Sequence, residues 1–330
     1  MSGSSRGALL AGALVLLVAV AVVSMGFGAQ AIAPGQVWQA LVAPHGGVAR
    51  ETLLIVRDVR VPRMVLGVAV GAALAVAGAL VQTTTRNPVA EPGILGVTAG
   101  ASFAITLGTV LGLTGSQYSQ LVAAVLGAAV ASLAVQAVGR TSPLRLLLAG
   151  VALTFLLSGI SLAMRLTMPD AFDRFRFWAV GSLAGREQLP QVVPLVVIAA
   201  ALAGALLLAR PLSALALGED VARTLGARVT ATKLGSLATV TVLAGAATAV
   251  AGPIAFVGLI VPHLARRLAG GTVGWLVAFS AVLGPVLVLV SDIGSRVLLA
   301  TGEVPVAIVT AVLGGLVLIA VVRRPGVLVP

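Results

Sequence analysis

The sequence predicts an all-α protein that crosses a membrane about ten times and is built from two inverted halves. Three observations carry this expectation. Hydrophobic residues make up 59% of the 330 positions and charged residues only 9%, against about 25% charged in an ordinary soluble protein. Asp, Glu, Lys and Arg are absent from eight stretches: 7–49, 64–85, 92–139, 146–164, 188–209, 234–265, 268–291 and 304–322. An Ala/Gly-rich octapeptide occurs twice. With a mean hydropathy of +1.13, the chain cannot cover a water-facing surface. That excludes a soluble enzyme and a nucleic-acid-binding domain.

A bilayer helix needs about 20 mostly apolar residues. The stretch 7–49 holds one strong span, about 8–27, then a weaker segment with Pro34 and Pro44. Ala29-Gln-Ala31 offers a small-residue cleavage site. The apolar run 8–25 is longer than the 7–15 residues usual in a signal peptide, so a retained helix is expected. Stretch 92–139 is long enough for two helices and breaks at Gly112-Leu-Thr-Gly-Ser-Gln117; stretch 234–265 breaks at Gly252-Pro253. Spans are therefore expected to start near residues 8, 64, 93, 119, 144, 190, 231, 253, 273 and 304. The eighth is short and carries Pro262 and His263.

The formal net charge is +11 and the pI about 11.8. On so apolar a chain this points to cytoplasmic loops rich in Arg, not to nucleic acid. With both termini inside, the inner segments hold twelve cations and three acids; the outer ones hold nine Arg and seven acids. Termini-in is the expected orientation. Lys233 is the single lysine among 21 basic residues. The lack of Cys excludes disulfides, thiolate zinc sites and iron–sulfur ligation, and two His are too few for a histidine metal cluster.

The repeated octapeptide is Gly71-Ala-Ala-Leu-Ala-Val-Ala-Gly78 and Gly245-Ala-Ala-Thr-Ala-Val-Ala-Gly252, seven of eight positions alike at an offset of 174. The same offset carries Pro88 onto Pro262. One reading is chance within an Ala/Gly/Val-rich chain. The other is a duplicated half, inverted because five spans separate the copies, as in many transporters.

Four further segments stand out: Arg60-Val-Pro-Arg63, the inner turn from Gln82 through Arg86-Asn-Pro-Val-Ala-Glu-Pro92 to Gly96, Gly181-Ser-Leu-Ala-Gly185 in an outer loop, and Leu217-Gly-Glu-Asp-Val-Ala-Arg-Thr-Leu-Gly226 in an inner loop. The eighth span reads Gly252-Pro-Ile-Ala-Phe-Val-Gly-Leu-Ile-Val-Pro-His-Leu-Ala-Arg266. From about residue 60 to 324 the chain resembles the FecCD family of ABC-importer permeases, the type II importers of iron–siderophore, haem and cobalamin. Two departures are visible. Val89 stands where the family usually has Leu, and Gly314-Gly-Leu-Val-Leu318 replaces its usual Gly-x-Pro-x-Phe, which leaves the packing of the last helix open.

The resemblance implies one permease domain over 1–330, with halves of roughly 60–165 and 230–322 and a coupling loop at 211–228. Leu212, Leu215, Leu217, Val221 and Leu225 alternate with the helix-breaking Gly218 and Gly226, so two short helices are expected there. By itself this loop reads as an interfacial helix or as a knob for a cytosolic partner. The family favours the knob. Leu217, Gly218, Glu219, Asp220, Ala222, Leu225 and Gly226 would then couple to the partner ATPase.

Arg57, Arg60 and Arg63 precede the second span and Arg296 lies before the last. They read either as side chains snorkelling to lipid phosphates, with Arg296 paired to Asp292 one turn earlier, or as a cationic rim for an acidic docking face. The resemblance carries the docking role to Arg60, Arg63 and Arg296. It also makes the turns at Asn87, Val89, Thr141 and Ser142 a cytoplasmic gate. Glu91 is expected to serve the turn or helix start after Pro88, Arg165 to end the fifth span, and His263 to be hydrogen-bonded structure.

The chain has no G-x-x-x-x-G-K-[ST] loop; Gly226-Ala-Arg-Val-Thr-Ala-Thr-Lys233 lacks the Gly before Lys. No carboxylate pair or Asp/Glu/His relay is expected within the spans. ATP and its magnesium would therefore belong to two cytosolic ABC ATPase subunits. A second permease chain, identical or related, and an extracytoplasmic substrate-binding protein complete the expected assembly in the cytoplasmic (inner) membrane. No cofactor or metal is expected in this chain. The competing class is a stand-alone secondary transporter.

Overall fold

The computed structural model describes residues 3–28, 31–43, 48–139, 143–168, 178–186, 189–299 and 302–323. Among them every regular element is a helix. The order is α1 (Gly3–Gly26), α2 (Pro34–Val42) and α3 (Arg50–Leu54), which passes through a π-turn (Ile55–Arg60) into α4 (Val61–Thr85). A 3₁₀ turn (Pro92–Leu95) precedes α5 (Val97–Val110), α6 (Gln117–Gly139) and α7 (Pro143–Thr167). Then come α8 (Val192–Leu207), α9 (Ala209–Ala216), α10 (Glu219–Thr224), α11 (Val229–Ala251), α12 (Val257–Ala269), α13 (Val273–Val297) and α14 (Val306–Val322).

A helix stands at each of the ten expected positions, but they are not ten equal spans. Six are long and apolar enough to cross a membrane, and α8 with α9 makes a seventh only as one span bent by 49°. Two of the exceptions, α5 and α12, have a backbone cause. Pro92 starts a 3₁₀ turn, so α5 begins only at Val97. Gly252 takes φ +74° and ends α11, so α12 begins only at Val257. Backbone of this irregular kind is tolerated at membrane depth only where protein buries it.

The core is α4. Every residue from Val70 to Thr83 is buried, and the helix packs on α13, α11 and α12. A helix without a polar face belongs at the centre of a bundle. The repeated octapeptide explains its fit. A Cβ on Gly71 would lie 2.6 Å from the Gly284 carbonyl oxygen of α13, and one on Gly78 would lie 1.9 Å from the Gly258 carbonyl oxygen of α12. Lipid supplies no hydrophobic drive between helices, so close backbone approach and dispersion hold the bundle. The second copy is likewise buried without interruption, from Leu243 to Ala251 of α11. Its Gly245 faces Val125 of α6.

Helix lengths run 25, 14, 23 and 25 residues from α4 to α7 and 23, 13, 25 and 17 from α11 to α14. The first helix of each set packs on the third of the other, α4 on α13 and α11 on α6. The 178–186 segment is stitched to the end of α11: the Ser182 amide donates to the Ala251 carbonyl (2.8 Å), and Trp178 Nε1 donates to that of Thr248 (2.9 Å). Gly314 settles the packing of the last helix. A Cβ there would lie 2.6 Å from Cβ of Phe256, so α14 seats its small residue on that ring.

Candidate functional site

Four sets of residues carry chemistry, and the first is the loop after α8. Leu212 and Leu215 of α9 are fully buried and anchor it. Gly218 (φ +115°) and Gly226 (φ +78°) supply the backbone conformations that bracket α10, conformations that a Cβ would strain. Leu217, Val221 and Leu225, spaced by four, are 66%, 45% and 64% exposed. They form a bare apolar stripe. Ala222 faces the other way and is buried, so of the expected coupling residues it supports the loop from behind. Glu219 and Asp220 open α10, where acids suit the helix N-terminus. Lys233 Nζ of α11 donates to Glu219 Oε1 (2.5 Å). That bond, with the Lys233 charge, holds the Glu219 carboxyl below its usual range.

The second set is the turn after α4, expected on the inner side. Arg86 ends the helix in the left-handed conformation (φ 51°). Asn87 Oδ1 accepts the Val89 amide (3.1 Å), closing an Asx turn. Asn87 and Val89 are both exposed. Thr141 and Ser142 lie outside the described residues.

The third set is where the inner turn meets α12. Phe256 adopts φ +70°, a conformation that costs a non-glycine residue about 1–2 kcal/mol. Its amide donates to Glu91 Oε1 (2.7 Å), so the carboxylate holds the strained turn from across the molecule. Burial pushes the Glu91 carboxyl up, and the Phe256 bond pulls it partly back. Gln82 Nε2 of α4 donates to the Gly258 carbonyl in the first turn of α12 (3.1 Å). Glu91 therefore serves α12, not the start of its own helix.

Beside this clasp lies an open groove of about 310 Å³. It runs from Glu91 past Thr98 and Ser102 of α5 to Thr154, Ser158, Ser161 and Arg165 of α7. Arg165 Nη2 donates to Thr106 Oγ1 (3.0 Å). The sequence expectations missed this groove. Its signal is the polar stripe 154, 158, 161 and 165 in an otherwise apolar helix, the spacing of one helical face.

The fourth set is the arginine cluster around Asp292. Arg60, Arg63 and Arg296 are 5%, 5% and 7% exposed, not an open rim. Arg63 Nη2 donates to Asp292 Oδ1 (2.8 Å) and Glu303 Oε2 (2.7 Å). Arg296 pairs with Asp292 one turn earlier and donates to the carbonyls of Ser24 (3.0 Å) and Phe27 (2.9 Å). Arg60 donates to the Met25 carbonyl. Two of the arginines thus close the end of α1 onto α4 and α13, as cations suit a helix C-terminus. Asp292 and Glu303 share Arg63, and Arg296 gives Asp292 a second cation. Among the described residues, His263 Nε2 is buried without a hydrogen-bond partner. No group of three His, Cys, Asp or Glu able to hold a metal occurs among the described residues.

The model of the FecCD transport family matches residues 16–324. The chain is 45% identical to the ferric enterobactin transport system permease protein FepD of Escherichia coli (strain K12), covering 98% of each chain. It is 34% identical to the hemin transport system permease protein HmuU of Yersinia pestis, over 92% of this chain and 91% of that one. Among solved structures it resembles an inward-facing conformation of a metal-chelate type ABC transporter, with TM-score 0.82, 27% identity, and 96% and 99% of the two chains covered.

Proposed function

The chain belongs to the FecCD transport family, a family of transport permeases and not of enzymes, and from that premise we propose how this ABC importer permease works. It moves ferric siderophore, or alternatively haem or cobalamin, across the cytoplasmic membrane by alternating access. Two cytosolic ATPases bind ATP and magnesium and dock on the 211–228 loop. The pathway lies between two permease subunits. The groove lined by Thr98, Ser102, Thr154, Ser158 and Ser161 forms this chain's share of it. Hydroxyls and few charges let a bulky polar cargo pass without holding it. Asn87 and Val89, with Thr141 and Ser142, close the inner mouth. The halves 60–165 and 230–322 are inverted copies, both termini are cytoplasmic, and ten helical segments build the membrane domain. The reciprocal packing of α4 on α13 and α11 on α6 supports the duplication.

An extracytoplasmic binding protein docks over the Arg60–Arg63–Arg296 cluster. Because these side chains are buried, the cluster acts through its net positive field and by holding the rim in shape. Against the stand-alone carrier stands the state of Asp292 and Glu303. Both are already held by arginine and form no vacant proton or cation relay.

The observation that carries the reading is the exposed Leu217–Val221–Leu225 stripe on a loop anchored by Leu212 and Leu215. An apolar knob with acidic neighbours asks for a cytosolic partner. The test is affinity capture of the chain from its native membrane under mild detergent, with co-purifying chains identified by mass spectrometry. A Walker-A ATPase is expected. A chain that comes down alone, in an intact and active preparation, overturns the reading.

A further inference from the structure

We propose that Lys233 is a positioning residue that latches the ATPase-docking loop to the membrane helices, and that Glu219, Lys233, Ser236 and Thr84 form a polar linkage from α10 through α11 to the inner end of α4. This deepens the coupling role proposed above and rests on it.

Two side-chain contacts, joined by one turn of the α11 backbone, make the linkage. Glu219 sits in the first turn of α10, and its Oε1 accepts from Lys233 Nζ of α11 at 2.5 Å. One turn along α11, Ser236 Oγ lies 2.7 Å from Thr84 Oγ1 of α4. Two residues further on, Arg86 ends α4 and begins the Asn87–Val89 turn. A Cβ on Gly218 would lie 3.9 Å from Arg86 Nη1, so the cation at the gate turn and the cation on α11 face the same end of α10. All five side chains line one open cleft of about 370 Å³.

Three features argue for the latch. Helix α10 has six residues, and only Ala222 is buried, so packing alone holds it weakly. Lys233 lies near the N-terminus of α11, where a cation gains nothing from the helix dipole. It is also the single lysine in a chain that otherwise uses arginine. A compact ammonium on a flexible stem can keep one carboxylate while the loop moves, where a planar fork would fix the geometry. Both partners are substantially exposed, and such a pair contributes only about 0–1 kcal/mol to stability. Its removal should leave the fold intact and change what the loop transmits.

The absence of cysteine permits a clean test. A Val89→Cys chain is labelled with a maleimide in native membrane vesicles containing the ATPase partners, with and without ATP and vanadate. Nucleotide should change the labelling rate severalfold. Lys233→Glu or Glu219→Lys should reduce that response by about tenfold, a coupling free energy of ordinary size. Lys233→Arg should keep most of it. The double swap, Glu219→Lys with Lys233→Glu, should restore it, and the Lys233 variants should leave elution of the complex and its ATPase content unchanged. Single variants that respond like the parent, or a swap no better than the singles, overturn the latch. A parent that holds its ATPase yet shows no nucleotide response also overturns it, because the linkage then has no movement to pass on. A parent without any ATPase refutes the importer reading itself, and the latch with it.

Discussion

Asp292→Asn isolates the buried charge cluster. Asp292 is fully buried, and the side chains of Arg63 and Arg296 beside it are 6% and 3% exposed. The substitution keeps the shape and removes the charge. Arg296 is then left with the Ser24 and Phe27 carbonyls, and Arg63 with Glu303, which is 36% exposed. Removing one partner of a buried pair costs about 3–5 kcal/mol. Because Glu303 still neutralises part of the cluster, the lower end applies, about 3 kcal/mol, or roughly a hundredfold in the folding equilibrium. The assay is thermal unfolding of the detergent-purified chain followed by size exclusion. Asp58→Asn is the control, since Asp58 is exposed and such surface changes stay within about 0.5 kcal/mol. A cycle with Arg63→Met should be strongly non-additive, since the arginine left by Asp292→Asn is then gone as well. Asp292→Asn as stable as Asp58→Asn would refute the claim that Asp292 organises the outer ends of α1, α4 and α13.

Three further outcomes follow from the same geometry. Gly78→Ala drives a methyl into the Gly258 backbone and should cost about 1–3 kcal/mol or more by overpacking, whereas Gly159→Ala on α7 meets nothing within 4 Å and should leave yield and melting unchanged. Glu91→Ala leaves the Phe256 amide without its acceptor and should lower stability by about 1–3 kcal/mol, while Glu91→Gln, which keeps an oxygen in place, should lose clearly less; equal losses would remove the clasp. The depressed Glu219 carboxyl means the Lys233 bond contributes at every pH above the ordinary carboxylate range and is lost only as pH falls through the lowered folded value. Protection of the 219–225 amides, corrected for the intrinsic pH dependence of exchange, should therefore stay unchanged from neutral to mildly acidic pH and fall below it, and a loss of protection that begins near neutrality contradicts the pairing.

Much was legible because the bilayer imposes a one-dimensional constraint. Apolar length and the Gly/Pro breaks at 112–117 and 252–253 placed the helices, and Gly218 and Gly226 placed the two short ones of the inner loop. The polar stripe 154, 158, 161 and 165 was also readable, since helical periodicity needs no partner to be seen. The irregular starts of α5 and α12 were not, because a stretch without charges looks equally helical whether it lies in lipid or enters the protein.

By itself, the sequence determined the all-helical membrane class, the approximate place of the main helices and the resemblance to FecCD permeases, all of which rest on composition and local spacing. Only the tertiary structure decided that Arg60, Arg63 and Arg296 are buried, that Asp292 meets an arginine 229 positions away, and that Glu91 holds a turn 165 positions on. The physical reason is the same each time. Whether a charge is exposed, snorkelling or paired depends on which helix ends meet in space, and an apolar helix surface carries no local mark of its neighbour.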